Sequence, residues 1–463
     1  MTYQAPDIIY KEADITICLL LWQSWGIARL CRYDTLTREM AVKRPQKVIV
    51  IGAGTGGLCL AHGLKSDGID VEVFERDRSP ADRQGGYRLS ISATGVAALR
   101  DCLPPKLFER LITNSADPSQ GITFLDHRLN RLLAFDFPHS DRKDPDAERP
   151  ITRTALRRIL LDGLDAITHF GKTFAAFADS PDGSVVAHFQ DGSTAEGDVL
   201  IGADGAASRL RAQLLPQARR IETDVLAING KFALDDANRA TIPPPILRGP
   251  TPVLGPRGGF LFANAVQYLH TDGSLPADRD IAPEERQAFV MWGYSARRKA
   301  FATIDLDALD GEGLKDVVRA RMQDWHPSLR RLVDMADPST VSAFAVKTSV
   351  PIAPWNTRNV TLLGDALHNM TPFRGIGANT ALRGAALLRR TLSAWARGKQ
   401  ELGPALAHYE REMIDYGFAA VRTSLGDMER FHAEGSLSRF RVKAALRAAD
   451  WIPSLKARLL RGR

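Results

Sequence analysis

The sequence VIVIGAGTGG at residues 48–57 predicts a buried β-strand that runs directly into a glycine-rich turn and a helix. Gly52 permits the tight turn, Gly54 lets the backbone approach a phosphate, and Gly57 lets the helix pack closely on the strand. The first N–H groups of that helix would face a pyrophosphate. The stretch therefore predicts the dinucleotide-binding part of a Rossmann-like unit.

A second strand, predicted at residues 71–74, ends at Glu75. Glu75 follows Gly52 by about 20 residues, the distance at which such a unit places the carboxylate that binds the adenosine ribose. A plain βαβ unit without a ligand is the alternative interpretation. It is disfavoured because turn, helix, second strand and acid all occur in the expected order.

Two further segments repeat the pattern of an apolar strand that ends in a glycine or Gly-Asp turn. They are IGADG at residues 201–205 and LGDALH at residues 363–368. One glycine-rich turn alone is a moderate signal, because ordinary βα units also use such turns. Three of them in this order predict a site that wraps an extended dinucleotide, with carboxylates for its hydroxyl groups.

With these motifs the chain resembles the class A flavoprotein monooxygenases, typified by p-hydroxybenzoate and salicylate hydroxylases and the tetracycline-inactivating monooxygenases. The motifs are the Rossmann glycines, the pair Glu75-Arg76, the Asp204-Gly205 turn and GDALHNMTPFRGIGAN at residues 364–379. The resemblance implies an α/β fold with a Rossmann-like FAD-binding domain of the p-hydroxybenzoate hydroxylase type. An interleaved mixed β-sheet forms the substrate domain in that fold, and helices follow at the C-terminus.

The resemblance also implies a discontinuous domain division. The FAD-binding domain is expected at residues 40–120, 150–215 and 345–400, and the substrate domain at residues 121–149 and 216–344. C-terminal helices are expected at residues 401–463. Residues 1–39 fit poorly with the rest and are expected to be a weakly ordered extension, with Met40 as the natural start. Their apolar run is too short to span a bilayer and lacks the basic segment of a secretory signal.

The third motif carries the firmest residue assignment, because the family's aspartate at the position of Asp365 binds the ribityl chain of FAD. Gly364 frees the turn, and Gly375 and Gly377 precede a long helix whose positive end would stabilise negative charge on reduced flavin. His368 has a catalytic interpretation and a structural one, and the structural one is favoured. Many relatives have an aspartate where this chain has Gly384, so helix packing or one polar contact should differ there.

Arginines are the other informative residues. By resemblance, Arg157 is a candidate to reach the flavin, whereas its neighbour Arg153 is expected to be structural or solvated. Arg83, with Arg88 as a second choice, matches the position of an arginine beside the flavin and the nicotinamide phosphate. An ordinary surface arginine is an equally good interpretation of either. The choice between NADPH and NADH is not readable, although the arginines favour NADPH.

The pieces expected to handle the substrate are strands at residues 122–125, 132–137, 226–233, 260–263 and 288–294. They suggest a mixed sheet over the flavin. Comparison with the tetracycline-type enzymes directs Met291 and Gly293 toward the substrate and makes Asn229 a polar contact. The alternative, that these are core residues, is as good for each.

Composition fits a soluble, globular, cytoplasmic protein. The chain has 463 residues, of which 44% are hydrophobic and 25% charged, and its four cysteines form no C-x-x-C pair. A reducing compartment without a cysteine-based metal site is therefore expected, and no metal is assigned.

From Ser436 onward the chain has eight Lys or Arg and one acid. This basic tail is interpreted as helices packed on the domain, with contact to an anionic membrane as the less favoured alternative. No motif indicates nucleic-acid binding.

The resemblance implies the reaction. NADPH or NADH reduces FAD, O₂ forms a flavin C4a-hydroperoxide, and one oxygen atom passes to an aromatic, heteroaromatic or polyketide-like small molecule. The flavin carries the chemistry, so no side chain is assigned as catalytic. A reductase, dehydrogenase or epoxidase of the same fold is the alternative, and a non-catalytic flavin-binding protein is the least favoured one.

Overall fold

The computed structural model describes residues 46–80, 82, 88–137, 147–268 and 287–461. The predicted extension at residues 1–39, the start at Met40 and Arg83 lie outside the described residues. The strands are β1 (Lys47–Ile51), β2 (Asp70–Phe74), β3 (Arg88–Ile91), β4 (Gly121–Asp126), β5 (Arg131–Asp136), β6 (Arg149–Thr152), β7 (Thr168–His169), β8 (Phe174–Asp179), β9 (Val185–Phe189), β10 (Thr194–Gly197), β11 (Val199–Gly202), β12 (Arg220–Ala233), β13 (Thr251–Leu254), β14 (Phe260–Val266), β15 (Phe289–Arg297), β16 (Ser342–Ser349) and β17 (Val360–Leu362).

The helices of the described chain are likewise numbered in chain order. They are α1 (Thr55–Ser66), α2 (Ala93–Cys102), α3 (Pro105–Thr113), α4 (Arg153–Leu161), α5 (Arg209–Leu214), α6 (Asp236–Arg239), α7 (Pro244–Arg248), α8 (Gly311–Arg321), α9 (Pro327–Asp334), α10 (Asp365–His368), α11 (Gly377–Ala396), α12 (Leu402–Phe431), α13 (Ser436–Trp451) and α14 (Pro453–Arg461). Helix α4 begins at a threonine cap, because the Thr152 hydroxyl accepts a hydrogen bond from the Ala155 N–H at 3.2 Å.

The first large sheet has five parallel strands in the order β17-β11-β1-β2-β7. Its central strand, β1, is a continuous apolar run because helices cover both faces of a parallel sheet. Val48, Ile49 and Val50 are fully buried, and α1 and α11 pack together over this core. The Rossmann-like part of the predicted fold is therefore present.

The second large sheet is the predicted mixed sheet, with seven strands in the order β16-β12-β15-β14-β13-β4-β5. Strands β13 and β4 pair in parallel, and the other pairs are antiparallel. One face packs on α8 and α9 around the fully buried Trp292. Strand β12 is longer than its apolar pattern predicts, because residues 220–222 also pair with β16, beyond a register shift between Glu222 and Leu226.

The C-terminal helices join the two sheets. The Tyr409 hydroxyl on α12 donates to the Leu362 carbonyl of β17 at 2.8 Å. On α13, the Asp450 carboxylate accepts from the Ala134 N–H of β5 at 3.1 Å. None of the helices in the described ranges is long and apolar enough to cross a membrane. The exact domain boundaries given above stay a prediction.

Candidate FAD site

The three glycine turns lie side by side at the carboxyl ends of adjacent strands. Ile51 at the end of β1 pairs with Gly202 of β11, and Gly202 pairs with Leu362 of β17. Ligands of open parallel sheets bind at this edge. The segments that sequence reasoning combined, although far apart in the chain, are therefore brought together by the sheet.

Two of the predicted glycines have no room for a side chain. Gly52 has a positive φ of 111°, and a Cβ atom there would lie 2.4 Å from the Ala203 carbonyl oxygen. A Cβ atom on Gly57 would lie 2.2 Å from the Gly52 carbonyl oxygen. The turn and the close packing of α1 on β1 thus require glycine at both positions.

Two helices begin at this edge without a capping side chain. Helix α1 starts after Gly54 and α11 starts after Ile376, and neither has an acid in its first turn. The two helices touch, because a Cβ atom on Gly56 would lie 3.5 Å from the Ala381 Cβ. Unpaired N–H groups at paired helix starts form a positive cradle that fits the pyrophosphate and the flavin of FAD.

Glu75 and Arg76 follow β2, as predicted. The Glu75 carboxylate is buried and accepts from the Ala53 N–H at 2.7 Å and from the Asp77 N–H at 3.1 Å. It therefore fixes the glycine turn, and each of its oxygens keeps a lone pair for a ribose hydroxyl. Arg76 is exposed.

Asp204 has one oxygen in use and one without a partner. Its Oδ2 atom accepts from the Arg209 N–H at 2.9 Å, at the start of α5. Its Oδ1 atom is buried and finds no hydrogen-bond partner within the described residues. Burial raises the pKa of Asp204 above its ordinary value, while hydrogen bonds from Ser208 and nearby N–H groups oppose the shift. An orphaned buried acceptor at this edge fits a hydroxyl group of FAD.

Asp365 lies half-buried at the start of α10, and its Oδ1 atom is 3.9 Å from where a Cβ atom on Gly377 would be. It therefore faces the start of α11. Arg220, which the sequence analysis did not select, holds the same segment through Nε, which donates to the Asn369 Oδ1 at 2.7 Å. Arg211, also not selected, donates to the Ala366 carbonyl at 2.7 Å and ties the second turn to the third. No local motif marks either arginine.

His368 is fully buried, and neither ring nitrogen has a partner within the described part of the chain. Its ring meets Tyr416 edge-on, with centroids 6.1 Å apart, and burial lowers its pKa. These contacts support the structural interpretation. Tyr416 also accounts for Gly384, because a Cβ atom there would lie 2.8 Å from the Tyr416 hydroxyl oxygen. The arginine before it, Arg383, stacks on the Tyr416 ring at 4.2 Å.

The predicted arginines have other partners in the structure. Arg157 pairs with Asp77, with Nη1 and Oδ2 at 2.8 Å, close to the turn that follows Glu75. Arg88 is buried and lies 3.4 Å from the Glu148 carboxylate. When the Asn264 amide is oriented so that its nitrogen and its oxygen both have hydrogen-bond partners, the oxygen accepts from Arg88 Nη1 at 2.5 Å. The flavin and nicotinamide roles of these arginines stay predictions.

The predicted substrate residues share one face of the mixed sheet. Asn229 pairs with Gly293 on the neighbouring strand, and Met291 follows on the same face. All three are half-buried, whereas Trp292 and Tyr294 on the other face are buried. The structure therefore brings the three residues together, as a face that is less covered than the opposite one.

Comparison with known proteins gives the family. An FAD binding domain model matches residues 274–424, and an NAD(P)-binding Rossmann-like domain model matches residues 50–100. The FAD-dependent monooxygenase phnB of Penicillium herquei is 30% identical over 83% of this chain and 91% of that protein. A crystal structure described as an FAD containing monooxygenase of Photorhabdus luminescens is 33% identical, covers 84% of this chain and 100% of that one, and has a TM-score of 0.75. The chain belongs to the FAD-dependent monooxygenases.

A second kind of relative is much longer than this chain. The dual O-methyltransferase/FAD-dependent monooxygenase elcB of Phaeosphaeria nodorum is 32% identical over 79% of this chain, which spans 42% of that protein. The chain thus spans about half the length of the first curated relatives that it matches. These comparisons confirm the family, the enzyme class and FAD as the cofactor that the sequence motifs implied.

Proposed function

We propose that the protein uses NADPH or NADH to reduce bound FAD and transfers one atom of O₂ to an aromatic, heteroaromatic or polyketide-like small molecule. The observation that carries this proposal is the meeting of three glycine turns, with the uncapped starts of α1 and α11 beside Asp365. Bound FAD supplies the redox chemistry and the activation of oxygen. The residues of the chain bind it, orient it and keep water away.

The residues proposed to hold FAD lie in the three turns, at the neighbouring helix starts, directly after β2 and on α4. They are Gly52, Gly54, Gly57, Glu75, Arg76, Arg157, Asp204, Gly364, Asp365, Gly375 and Gly377. Backbone N–H groups at the start of α1 bind the pyrophosphate, and the Asp365 carboxylate accepts from hydroxyl groups of the ribityl chain. The positive end of α11 stabilises the negative charge that a reduced flavin carries.

The half-covered face of the mixed sheet is proposed to bind the substrate. Asn229 supplies an amide that both donates and accepts, and Met291 supplies a polarisable apolar surface. Gly293 leaves room, because a Cβ atom there would meet only the Asn229 Cβ, at 3.8 Å. This combination suits a flat, mainly apolar molecule with a few polar groups. The O-methyltransferase activity in the name of elcB supports a substrate or product with hydroxyl groups.

No second glycine turn of the Rossmann type is available for the nicotinamide nucleotide within the described residues. We therefore propose that NADPH or NADH reacts at the surface of the FAD site. Arg88 is paired with Glu148, so Arg83 is the better candidate for a contact with the nicotinamide nucleotide.

The test is anaerobic reduction followed by oxygen. FAD-loaded protein is mixed with NADPH or NADH across a panel of phenolic and polyketide compounds, and bleaching of the flavin absorbance is followed. We expect one nucleotide and one compound class to accelerate bleaching, and ¹⁸O₂ to label the product with one oxygen atom. Bleaching without incorporation of oxygen would indicate a reductase or dehydrogenase. Bound FAD that responds to neither nucleotide would contradict the proposal.

A further inference from the structure

Exposed apolar side chains concentrate on helix α13 of the described chain. Of the six large apolar residues that are exposed in the described part of the chain, four lie on this helix or directly after it. They are Leu437, Phe440, Trp451 and Ile452, with exposed fractions of 61%, 67%, 85% and 46%. A tryptophan that is 85% exposed is unusual on a soluble surface, because its large apolar area normally finds a partner.

Three of these residues, Leu437, Phe440 and Trp451, form one stripe along the helix, and Ile452 follows the end of the helix. At 3.6 residues per turn, one side of α13 presents Leu437, Phe440, Ala444, Ala448 and Trp451. At 1.5 Å per residue the stripe is roughly 20 Å long. The opposite side, with Val442, Leu446 and Ala449, packs on the core beside β5. Helix α13 thus has two apolar faces, of which the described fold covers one.

Charges border the uncovered face with a single sign. Arg441 is exposed, and the side chain of Arg447 is 51% exposed and lies 4.0 Å from Asp126, at the limit of an ion pair. Asp450, the one acid in the sequence of α13, is turned away from the stripe and accepts from the Ala134 N–H and from Arg131 Nε, both at 3.1 Å. The uncovered face is therefore apolar with cationic borders.

We propose that α13 lies flat on an anionic lipid surface, with Phe440 and Trp451 among the headgroups and Arg441 and Arg447 beside lipid phosphates. Amphipathic helices with an aromatic apolar face and basic borders bind membranes in this way, and tryptophan favours the headgroup region. A second copy of this chain fits the face less well, because it would bring the same arginines together. The proposal rests on α13 alone and is independent of the oxygenase reaction.

The test is flotation of the FAD-loaded protein with vesicles of phosphatidylcholine alone or mixed with phosphatidylglycerol. We expect binding to the anionic vesicles that weakens with added salt. The Phe440→Ser/Trp451→Ser variant should bind at least about tenfold more weakly, because it loses both aromatic anchors. The Arg441→Glu/Arg447→Glu variant should lose the preference for anionic lipid.

The matched control is Ile221→Ser, which removes an exposed apolar side chain on β12, away from α13. It should bind vesicles like the wild type. Bound FAD and the melting temperature, measured for every variant, report whether the fold is retained. Equal flotation of the wild type and the Phe440→Ser/Trp451→Ser variant would overturn the proposal, as would the absence of binding by the wild type. A lipid-free dimer that this double variant converts to a monomer would also overturn it and assign the face to a second copy.

Discussion

The candidate sites on the two large sheets differ in whether backbone or side chains form them. At the edge of the parallel sheet the site is mainly backbone, because Gly52 and Gly57 leave no space for a Cβ atom and the helix starts present N–H groups. Three carboxylates complete it, those of Glu75, Asp204 and Asp365. On the mixed sheet the candidate site consists of side chains, with Asn229 and Met291 on a half-covered face. The cofactor half is therefore fixed by steric necessity, whereas the substrate half can change its lining without losing its strands.

The largest effect is expected when a side chain enters the glycine turn. The Cβ atom of Gly57→Ala would lie 2.2 Å from the Gly52 carbonyl oxygen, so α1 must shift away from β1. We expect a loss of about 3 kcal/mol or more in unfolding free energy and no retention of FAD through purification. Flavin absorbance and thermal unfolding measure both effects.

Gly426→Ala is the matched control, because Gly426 also lies inside a helix and no atom lies within 4 Å of its added Cβ. It should keep FAD and gain about 0.5–1 kcal/mol in stability from helix propensity. Normal FAD binding by Gly57→Ala would show that the turn accommodates a side chain and that the cofactor site is not fixed by steric necessity.

The next-largest effect is a difference in stability between substitutions on the two faces of β15. Trp292 is fully buried against α8 and α9, so Trp292→Ala should lower the unfolding free energy by about 3–5 kcal/mol. Met291, the preceding residue, is half-buried on the other face, so Met291→Ala should cost about 1 kcal/mol or less and instead change KM for the substrate. Chemical denaturation measures the unfolding free energy of both variants, and steady-state kinetics measure KM for the substrate. Similar losses of stability would remove the distinction between a core face and a substrate face.

The same difference determines what could be predicted from sequence. The glycines and the acids Glu75 and Asp365 lie in short local motifs, because a tight turn at a strand end has few possible sequences. Parallel pairing of β1, β11 and β17 then places the three turns side by side. The strand at residues 288–294 was also predicted, and the period of two of a strand places Met291 and Trp292 on opposite faces.

Contacts between distant segments were not predictable from sequence. Arg220 reaches Asn369 across 149 residues, and Arg88 at the start of β3 reaches Asn264 on β14, a strand of another sheet. Tyr416, on another helix, and Leu363 each lie 2.8 Å from where a Cβ atom on Gly384 would be, so residues distant in the chain fill the space beside this glycine. Such contacts depend on packing of whole elements, and neither propensity nor motif spacing contains that information.

A smaller effect is expected from neutralising the acid of the third turn. Asp365→Asn keeps the size of the side chain but weakens its acceptance of hydroxyl hydrogen bonds, so we expect FAD to bind about 10–100-fold more weakly. The fold should be retained, because Asp365 is half-buried and Arg220 still holds Asn369. Titration of the apoprotein with FAD measures the affinity. Asp415→Asn, an exposed acid on α12, is the control and should bind FAD normally. Equal affinity in both variants would remove Asp365 from the site.

Buried titratable groups give the two sheets opposite responses to pH. Glu410 on α12 lies behind the parallel sheet, where its carboxylate accepts from the hydroxyls of Thr357 at 2.5 Å and Thr361 at 2.9 Å. Burial raises its pKa to about 7. His432 lies behind the mixed sheet, 2.8 Å from the Ser295 hydroxyl, and burial lowers its pKa to about 4. The folded protein thus favours the neutral form of both groups, which is lost at high pH for Glu410 and at low pH for His432.

The smallest effect follows for Glu410→Gln. Since the folded pKa of Glu410 is raised from 4.5 to about 7, its contribution to stability is fully present below pH 4.5 and is lost as the pH rises through about 7. Glutamine stays neutral, so the variant should gain about 1–2 kcal/mol over the wild type as the pH rises from 4.5 to about 6, in the lower part of this window. Unfolding at a series of pH values measures the difference, with the exposed Glu401→Gln as a control that should follow the wild type. A constant difference would mean that Glu410 is already ionised in the folded protein, and the contrast between the sheets would then rest on His432 alone.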